Sequence, residues 1–426
     1  MDRLPRLAVV LDFGAATPMG ILASARGLAD ITFLCDRNLP YVHAMVEELR
    51  EIATVCDMTG LAGADLEELV ERLDLDGITT FSESRLNVAA SLAHPRGLAY
   101  LSPASARALT DKFTQRQILA EAGVQVTRCR VVHDVADLGA ALAEVGLPAI
   151  LKPRGGAASA YSCRVHTAAE AAARLGDFLT RQVTPGDFVV EEMLVGDPSV
   201  AGAHWGDYVS IESVTSHGVV RHVEITGKFP LAEPLRETGY VVPSTLSGHT
   251  RQQVLALAEA AIHALEVRHG TTHVEVKLTP QGPRIIEVNG RLGGYVAGIV
   301  RRARGFDLVR ATLAASLGHA ADVPPASYVT CAFQYFITPP MQAILLRRLD
   351  GVPDLARQPG IQLVEIFKRA GERLDWRDGT LTYLGIVHGS APDHDGVARL
   401  VELVDRTLRI EYQTISGTAR KGSWKA

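Results

Sequence analysis

Residues 273–291 read HVEVKLTPQGPRIIEVNGR, and this pattern predicts a β-hairpin. Two runs rich in Val and Ile flank residues 280–282, which predict a three-residue turn with glycine at the position that favours positive φ. In the resulting register Glu275 lies directly opposite Glu287. Because side chains alternate along a strand, Glu287 shares one face with the two polar residues that follow it on the same strand.

The polar face of this hairpin indicates a metal site. It carries Glu287, Asn289 and Arg291, while the other face carries apolar side chains that must pack on a core: Val274, Val276, Leu278, Ile286 and Val288. Two carboxylates opposite each other destabilise an antiparallel pair, and a cation between them reverses that effect. Two carboxylates and an amide oxygen suit Mg²⁺. A solvated face on which Lys277 balances the charge is the alternative, and the hairpin alone leaves both open.

The composition is that of a globular protein with several domains. The chain has 426 residues, of which 47% are hydrophobic and 21% charged, and a chain of this length predicts two to four domains. The net charge of −5 argues against nucleic acid or an anionic membrane as the main partner. This balance still allows a local basic pocket.

The cysteines predict an intracellular setting. They are odd in number and scattered without a CxxC pair: Cys35, Cys56, Cys129, Cys163 and Cys331. This arrangement fits neither a disulfide framework nor a zinc site, so we expect buried thiols in a reducing cytoplasm. The apolar run from Leu7 to Val10 is too short for a signal peptide or a membrane span. A soluble, cytoplasmic protein is therefore predicted.

The first hundred residues predict a parallel sheet. Short apolar runs alternate there with helical patterns: LAVVLDF (7–13), ITFLCD (31–36), IATVCD (52–57) and GITTFSE (77–83). Gly14, Pro18 and Gly20 follow the first strand without GxGxxG spacing, which favours a plain strand-to-helix turn over a dinucleotide site. Glu83 ends the fourth run, where open α/β sheets place ligands, although a single carboxylate there is more often a helix cap.

The rest of the chain predicts a mixture of helices and strands. Ser102 is a good N-cap for a helix that ends at Gly123. Residues 130–190 predict a small α+β subdomain with a flexible loop, and the two prolines at 324–325 predict a linker into a final mixed segment. The basic tail at residues 419–426 is expected to fray.

A loop of small residues follows Lys152. The stretch AILKPRGGAASAYSCRV (149–165) places this lysine at the end of an apolar strand and residues 155–159 in the loop before the next strand. Small residues let backbone N–H groups approach phosphate oxygens, and the lysine adds a point charge. Because a Walker A ending is absent, a mobile hairpin tip with a surface lysine is an open alternative.

Four further charged residues are candidates only in combination with the rest. Lys112 lies on a helix, where lysine is usually solvated. The strand DFVVEEMLVG contains Glu191 and Glu192, which either face water or lie beside an adenine that backbone groups could recognise. Glu212 interrupts an apolar strand, so it either faces solvent or is a third acid near the metal.

In this order the features resemble the ATP-grasp superfamily over about residues 100–320. The shared features are the two lysines, the small-residue flap, the EE pair, the SxE strand and E-x11-E-V-N-x-R-x-G-G, of which EVNGRLGG (287–294) is the most diagnostic. The stretch ITGKFPLAEPLRETGYVVPS (225–244) looks like the L-amino acid ligase branch. The resemblance implies an α/β and α+β multidomain fold: a Rossmann-like pre-ATP-grasp domain (1–100), an ATP-grasp domain (101–325) with a mobile lid (130–190), and a C-terminal α+β domain (326–426).

The resemblance also implies ATP and metal contacts. The ATP contacts would be Lys112, Lys152, Ser159, Glu191, Glu192 and Leu194. The glutamate that usually pairs with ribose is missing, and Asp197 would substitute for it. The ligands of Mg²⁺ or Mn²⁺ would be Glu275, Glu287 and Asn289.

The remaining implied roles concern the substrates. Arg291 would bind the carboxylate that becomes phosphorylated, through its bidentate fork. The amides of Gly293 and Gly294 would stabilise the oxyanion of the tetrahedral intermediate. Further substrate contacts would come from Glu83, Glu212, Glu237, Tyr240 and Tyr295. Glu237 would bind the amino group of the first amino acid, and Tyr295 would shape the pocket of the second substrate. The branch often has histidine at position 240, so the tyrosine leaves the identity of that substrate open.

The implied activity is that of an ATP-dependent carboxylate–amine ligase. It would join two small molecules, expected to be amino acids, through an acyl phosphate and release ADP and phosphate, in specialised-metabolite or antibiotic biosynthesis. A homodimer is a further expectation, and neither nucleic acid nor a membrane is expected as a partner. A carboxylase-like or purine-pathway ligase and a non-catalytic nucleotide-binding regulator are the alternatives; the intact Glu, Glu, Asn and Arg set argues against the regulator.

Overall fold

The computed structural model describes residues 3–181, 187–415 and 417–420, and it begins with the predicted parallel sheet. The strands are β1 (Arg6–Leu11), β2 (Asp30–Cys35), β3 (Thr54–Asp57) and β4 (Gly77–Thr79), in the order β3-β2-β1-β4. The helices are α1 (Pro18–Ala25), α2 (Pro40–Ile52), α3 (Gly63–Glu71) and α4 (Leu86–Ala93). The fourth strand is shorter than predicted, and Glu83 begins a 3₁₀ turn, Glu83–Arg85, beyond its end.

Two helices replace the single helix predicted after Ser102. They are α5 (Pro103–Thr110) and α6 (Lys112–Glu121). Ser102 caps α5 as predicted, and Asp111 interrupts the helix and caps α6, accepting hydrogen bonds from two backbone N–H groups at 3.0 and 3.2 Å. Lys112 is therefore the first residue of a helix, and it is buried rather than solvated.

A four-stranded antiparallel sheet forms the region of the predicted lid. Its strands are β5 (Cys129–Val132), β6 (Ala149–Pro153), β7 (Cys163–Val165) and β8 (Phe188–Glu192), in the order β5-β8-β6-β7, with helices α7 (Leu138–Val145) and α8 (Ala168–Thr180). This sheet has its own apolar core, which Trp376 joins from far along the chain. The boundaries and the mobility of the lid stay predictions.

A sheet of eight strands lies at the centre of the part of the chain that the structure describes. Its strands are β9 (Tyr208–Ser216), β10 (Val219–Lys228), β11 (Gly239–Val242), β12 (Gly270–Thr279), β13 (Gly282–Asn289), β14 (Cys331–Phe336), β16 (Ile361–Ile366) and β17 (Gly385–Ala391), in the order β13-β12-β9-β10-β11-β14-β17-β16. Strands from both sides of residue 325 belong to this sheet. The predicted domain boundary at that residue stays a prediction.

The remaining elements surround this sheet. The helices are α9 (Pro198–Ala201), α10 (Gly248–Ala264), α11 (Val296–Arg304), α12 (Leu308–Ala315), α13 (Val352–Ala356) and α14 (His394–Thr407). A fourth sheet pairs β15 (Ala343–Asp350), β18 (Arg409–Thr414) and β19 (Gly417–Arg420). The start of the tail that was expected to fray is thus in a strand, and residues 421–426 lie outside the described residues. No helix among the described residues is long and apolar enough to cross a membrane.

The hairpin of β12 and β13 places Glu275 opposite Glu287, as predicted, but its turn and its ladder differ from the prediction. The turn has two residues, 280–281, instead of three, and a β-bulge in the ladder takes up Ile286. The two differences cancel, so the acidic pair is unchanged. The bulge changes the apolar face, however: Ile285 lies in the core, and Ile286, which was predicted to lie there, is only partly buried.

The outer strand of the central sheet is closed by two glutamine side chains. Gln115 Nε2 donates to the Val288 carbonyl at 2.8 Å, and its Oε1 accepts from the Val288 N–H at 2.9 Å. Gln125 makes the same pair of bonds with Ile285, at 2.9 and 2.6 Å. Edge strands expose unpaired backbone groups unless something covers them. These amides therefore fix the strand that carries Glu287.

We expect Gln115→Ala to lower the free energy of unfolding by about 2 kcal/mol, because it leaves the buried N–H and carbonyl of Val288 without partners. Gln117, on the exposed side of the same helix, provides the control, since Gln117→Ala should change that energy by less than about 0.5 kcal/mol. Urea unfolding followed by circular dichroism measures both. Equal effects of the two substitutions would contradict this role of Gln115.

Candidate active site

A cavity of about 650 Å³ is lined by residues of the N-terminal region, the lid and the central sheet. Most of the predicted site residues line it: Glu83, Lys112, Lys152, Ser159, Glu191, Glu192, Leu194, Glu237, Tyr240, Glu275, Glu287, Asn289, Arg291, Gly294 and Tyr295. Asp197, Glu212 and Gly293 are not among the residues that line it. The structure thus brings together residues that are more than two hundred positions apart in sequence, such as Glu83 and Tyr295. Their roles stay predictions.

A cation lies beside each of the two paired glutamates. Lys112 Nζ is 3.1 Å from Glu287 Oε1, and His273 Nε2 is 3.3 Å from Glu275 Oε1. Burial raises the pKa of Glu275, but the hydrogen bond and charge of His273 outweigh it and lower the pKa to about 2. Glu275 is therefore ionised, and the repulsion expected between the facing acids is offset from both sides.

The donor set of the hairpin fits a hard divalent cation. Glu275, Glu287 and Asn289 offer only carboxylate and amide oxygens, the ligands that Mg²⁺ or Mn²⁺ prefers. Among the residues that the structure describes, no group of three or more His, Cys, Asp and Glu side chains could hold a metal ion. A set of two acids and one amide does not need such a group, because Mg²⁺ takes its other ligands from water and phosphate.

Glu212 is neither on the solvent face nor in the cavity. Its side chain is fully buried, and its carboxylate contacts His273 Nδ1 and accepts a hydrogen bond from the Gly293 N–H at 3.2 Å. Burial lowers the pKa of His273, but the Glu212 carboxylate more than offsets this and raises the pKa to about 9. His273 is thus a buried cation between two acids, and it fixes the orientation of Glu275.

Two implied roles do not fit this geometry. The Gly293 amide is engaged by Glu212, so it does not face the cavity as an oxyanion donor would; a Cβ at this position would lie 2.5 Å from His273 Nδ1, which explains the glycine. Asp197 lies outside the cavity and caps helix α9 by accepting from the Ser199 N–H at 2.9 Å. An N-cap accounts for an aspartate there without a ribose contact.

Glu191 holds two cations, Lys152 and Arg116, at one end of the cavity. Its Oε1 is 2.5 Å from Lys152 Nζ, and its Oε2 is 3.1 Å from a guanidinium nitrogen of Arg116. Burial raises the pKa of Glu191, but Arg116 and Lys152 outweigh burial and bring the pKa below its ordinary value. Glu191 therefore positions Lys152 at the cavity. Its neighbour Glu192 pairs with Arg128 and Arg284 instead.

At the other end of the cavity, a lysine and a tyrosine hold Glu237. Lys228 Nζ donates to Glu237 Oε1 at 2.8 Å, and the Tyr240 hydroxyl donates to Oε2 at 2.6 Å. Lys228 is fully buried and lies 4.0 Å from the Tyr240 ring centroid, a distance typical of a cation–π contact. The tyrosine that replaces the expected histidine therefore takes part in the site by orienting this carboxylate.

Arg291 is held by an ion pair with Glu83 and by hydrogen bonds to the Asn289 side chain and the Leu292 carbonyl. Its Nε lies 2.9 Å from Glu83 Oε2, and its Nη2 donates to Asn289 Oδ1 at 3.2 Å. Burial raises the pKa of Glu83, although Arg291 beside it opposes the rise. Glu83 thus lines the cavity and fixes the guanidinium of Arg291, while its role as a substrate contact stays a prediction.

The small-residue flap after Lys152 is held by a distant part of the chain. Ala158 O accepts from the Thr380 N–H, and the Tyr161 N–H donates to Arg377 O, both at 2.8 Å. Ala158 and Tyr161 have φ of 59° and 51°, a conformation that is costly for residues other than glycine. The C-terminal segment, residues 375–383, therefore fixes the flap that lines the cavity.

Several residues of the site were missed by the sequence analysis. Arg116 lies one helical turn after Lys112, and His273 lies two strand positions before Glu275, so both share a face with a candidate and could have been found from that spacing. Lys228 lies within a quoted stretch. Tyr383 carries no local signal, since only the tertiary fold brings it to the cavity.

The comparison with known protein families fits this geometry. The sequence model of a family described as ATP-grasp domain matches residues 145–298. The protein carries an ATP-grasp domain. That match includes Lys152, the Glu191 strand and the whole acidic hairpin.

Individual proteins and solved structures are also similar to this chain. The chain is 28% identical to the alanine–anticapsin ligase of Bacillus subtilis over 60% of this chain and 57% of that protein. It is 26% identical to an uncharacterized protein of Sinorhizobium fredii over 86% of this chain and 75% of that one. Among solved structures, an L-amino acid ligase from Bacillus licheniformis is similar, with a TM-score of 0.77 and 21% identity over 97% of this chain and 100% of that chain. The predicted ATP-grasp fold is confirmed. These similarities support the predicted ligase class and L-amino acid ligase branch, while the chain spans little more than half of the alanine–anticapsin ligase.

Gly379→Ala should weaken ATP binding by this ATP-grasp protein. Gly379 has φ of +65°, and a Cβ there would lie 2.1 Å from Ala158 O in the flap, so the flap must shift. We expect the KM for ATP to rise about tenfold, since a small misplacement of a closing loop is costly. Gly371→Ala is the control, because its φ is +94° but a Cβ would meet nothing within 4 Å. An equal rise in both variants would show that backbone strain alone is responsible.

Stability should depend on pH through His273. A histidine with a raised pKa in the folded state stabilises the protein fully below its ordinary value of 6.5, and this contribution is lost as the pH rises through about 9. Without ATP, the free energy of unfolding should therefore fall by on the order of 3 kcal/mol over this range more in the wild type than in His273→Gln. Denaturant unfolding at several pH values measures the difference. His263→Gln, at an exposed position, should keep the wild-type slope, and a wild-type slope in His273→Gln would refute the assignment.

Proposed function

We propose that the protein joins two amino acids, activating the carboxylate of one with ATP and releasing ADP and phosphate. The observation that carries this proposal is one cavity lined by Lys112, Lys152, the acidic hairpin, Arg291 and Glu237. The end with the two lysines would be the nucleotide end, and the end with Glu237 the substrate end. The similarity to the alanine–anticapsin ligase and to an L-amino acid ligase supports amino acids as the substrate class.

At the nucleotide end, charge neutralisation and positioning would do most of the catalysis, as in other phosphoryl transfers. Lys112 and Lys152 would bind the phosphates of ATP, each held at the cavity by an acid. Glu275, Glu287 and Asn289 would hold Mg²⁺ or Mn²⁺, which neutralises phosphate charge when bound. The flap at residues 155–159 would exclude water and so protect a reactive intermediate from hydrolysis.

At the substrate end, Arg291 would bind the carboxylate of the first amino acid, and Glu237 its ammonium group. The carboxylate oxygen attacks the γ-phosphorus, giving an acyl phosphate and ADP. The amine of the second amino acid then attacks the acyl carbon, and phosphate leaves. The amine must be neutral to attack, and the proton that it loses passes to the departing phosphate or to water; no enzymic base is assigned to this transfer.

A coupled assay of ADP release over pairs of amino acids, with mass spectrometry of the product, tests the proposal. With a productive pair, Glu287→Gln and Arg291→Ala should each lower kcat at least about 100-fold, because each removes a charge that would contact the transferring or activated group. Arg301→Ala, on an exposed helix position, should retain wild-type activity. ADP formation that depends on bicarbonate and not on amino acids, or near-normal activity of Glu287→Gln, would overturn the proposal.

A further inference from the structure

Four aromatic side chains form one wall of the cavity beside Glu237. This aromatic wall consists of Tyr240, Tyr295, Phe336 and Tyr383. The Phe336 ring joins them, since its centroid lies 5.2 Å from that of Tyr240, 6.0 Å from Tyr295 and 5.3 Å from Tyr383. The Tyr240 hydroxyl binds the Glu237 carboxylate. The wall therefore begins at the group that would bind the first amino acid.

Tyr295 and Tyr383 fix each other within this wall. Their hydroxyl oxygens are 2.5 Å apart and their ring centroids 6.1 Å apart. Tyr295 has φ of 62°, which costs energy for a side chain of this size and persists only where contacts enforce it. One such contact is the hydrogen bond from Gln334 Nε2 to the Tyr295 carbonyl at 3.1 Å. The Tyr295 ring is thus held from its backbone and from its hydroxyl.

Tyr383 reaches the cavity from the end of the C-terminal segment. It is buried, and its ring packs against Phe336 and, at 5.6 Å, against Phe367. The hydroxyl of Tyr295 is its polar partner, so neither ring can turn away without breaking that bond. A large substrate side chain would have to displace both rings, and a charged one would lose water against aromatic carbon.

We propose that Tyr383 is a specificity-determining residue, which together with Tyr295 restricts the side chain of the activated amino acid to small, apolar groups. This inference rests on the proposed function, and it places Tyr295 beside the activated amino acid instead of the second substrate, because the aromatic wall begins at Glu237. It goes beyond that function because it names a residue of the C-terminal segment, far in sequence from the motifs of the ATP-grasp domain, and the class of side chain that this residue admits.

The experiment compares ADP release for activated amino acids of increasing side-chain size, with one amine partner held constant. In Tyr383→Ala the kcat/KM ratio of leucine or phenylalanine to alanine should rise about tenfold or more, mainly through KM, because a few added methylenes in an apolar pocket have effects of that size. Tyr383→Phe keeps the ring and should change the ratio less than about threefold. Tyr383→Leu tests the same enlargement with an apolar side chain, should the alanine variant not fold.

Tyr335→Phe is the matched control. Tyr335 precedes Phe336 on the same strand, but its hydroxyl donates to Asp405 at 3.3 Å and its side chain is not part of the cavity lining, so the ratio should stay at the wild-type value. An unchanged ratio in both the alanine and leucine variants overturns the inference. Loss of all turnover at an unchanged melting temperature and ATP affinity also overturns it, since it would mean a role other than size selection.

The same measurements separate this inference from the proposed function. Wild-type protein that forms no ADP with any pair of amino acids contradicts the proposed function itself. Wild-type protein that ligates amino acids, while its Tyr383 variants keep the wild-type size preference, contradicts only the assignment of Tyr383.

Discussion

Glu275 and Glu287 face each other across the hairpin, and much of the site is arranged around their mutual repulsion. Lys112 offsets one charge and His273 the other. The same lysine donates to Gly156 O in the flap at 3.0 Å, so a single ammonium group links helix α6, the hairpin and the flap. An ion pair of this kind, largely removed from water, is stable only when further hydrogen bonds satisfy its partners. The helix break at Asp111 therefore matters for the site, because it places Lys112 at the start of α6, where its ammonium group contacts both Glu287 and the flap.

The other glutamate of the pair, Glu275, is held by His273 and, behind it, by buried groups of the core. His273 contacts Glu212, and Glu212 accepts from the Gly293 N–H. Because His273 occupies the space where a Cβ of residue 293 would lie, that position must be glycine. The loop that leads to Tyr295 is thereby tied to the orientation of Glu275. The acids that would bind the metal and the wall that would contact the substrate are therefore connected through His273, Glu212 and the Gly293 amide.

The acidic hairpin could be predicted from the sequence because the pattern that determines it lies within one short stretch, residues 273–291. Alternating polar and apolar residues fix which side chains share a face, and a one-residue error in the turn was cancelled by a bulge at Ile286. No local pattern predicts that bulge, since it depends on packing of Ile285 in the core. The helix break at Asp111 was not predicted, because the single helix was based on its end signals, Ser102 and Gly123. An N-cap aspartate inside that stretch is visible only once the second helix is known.

Contacts between distant segments account for the rest of what the sequence could not show. The Asp177–Arg377 ion pair, at 2.6 Å, joins the lid helix to the C-terminal segment, and neither residue belongs to a motif. Trp376 packs in the lid core, while Tyr383, at the other end of the segment, forms part of the aromatic wall. A segment of nine residues thus contacts both the flap over the nucleotide end and the wall at the substrate end. Any shift of the lid must move this segment with it or break these contacts, so the proposed nucleotide binding and side-chain selection would share one structural support.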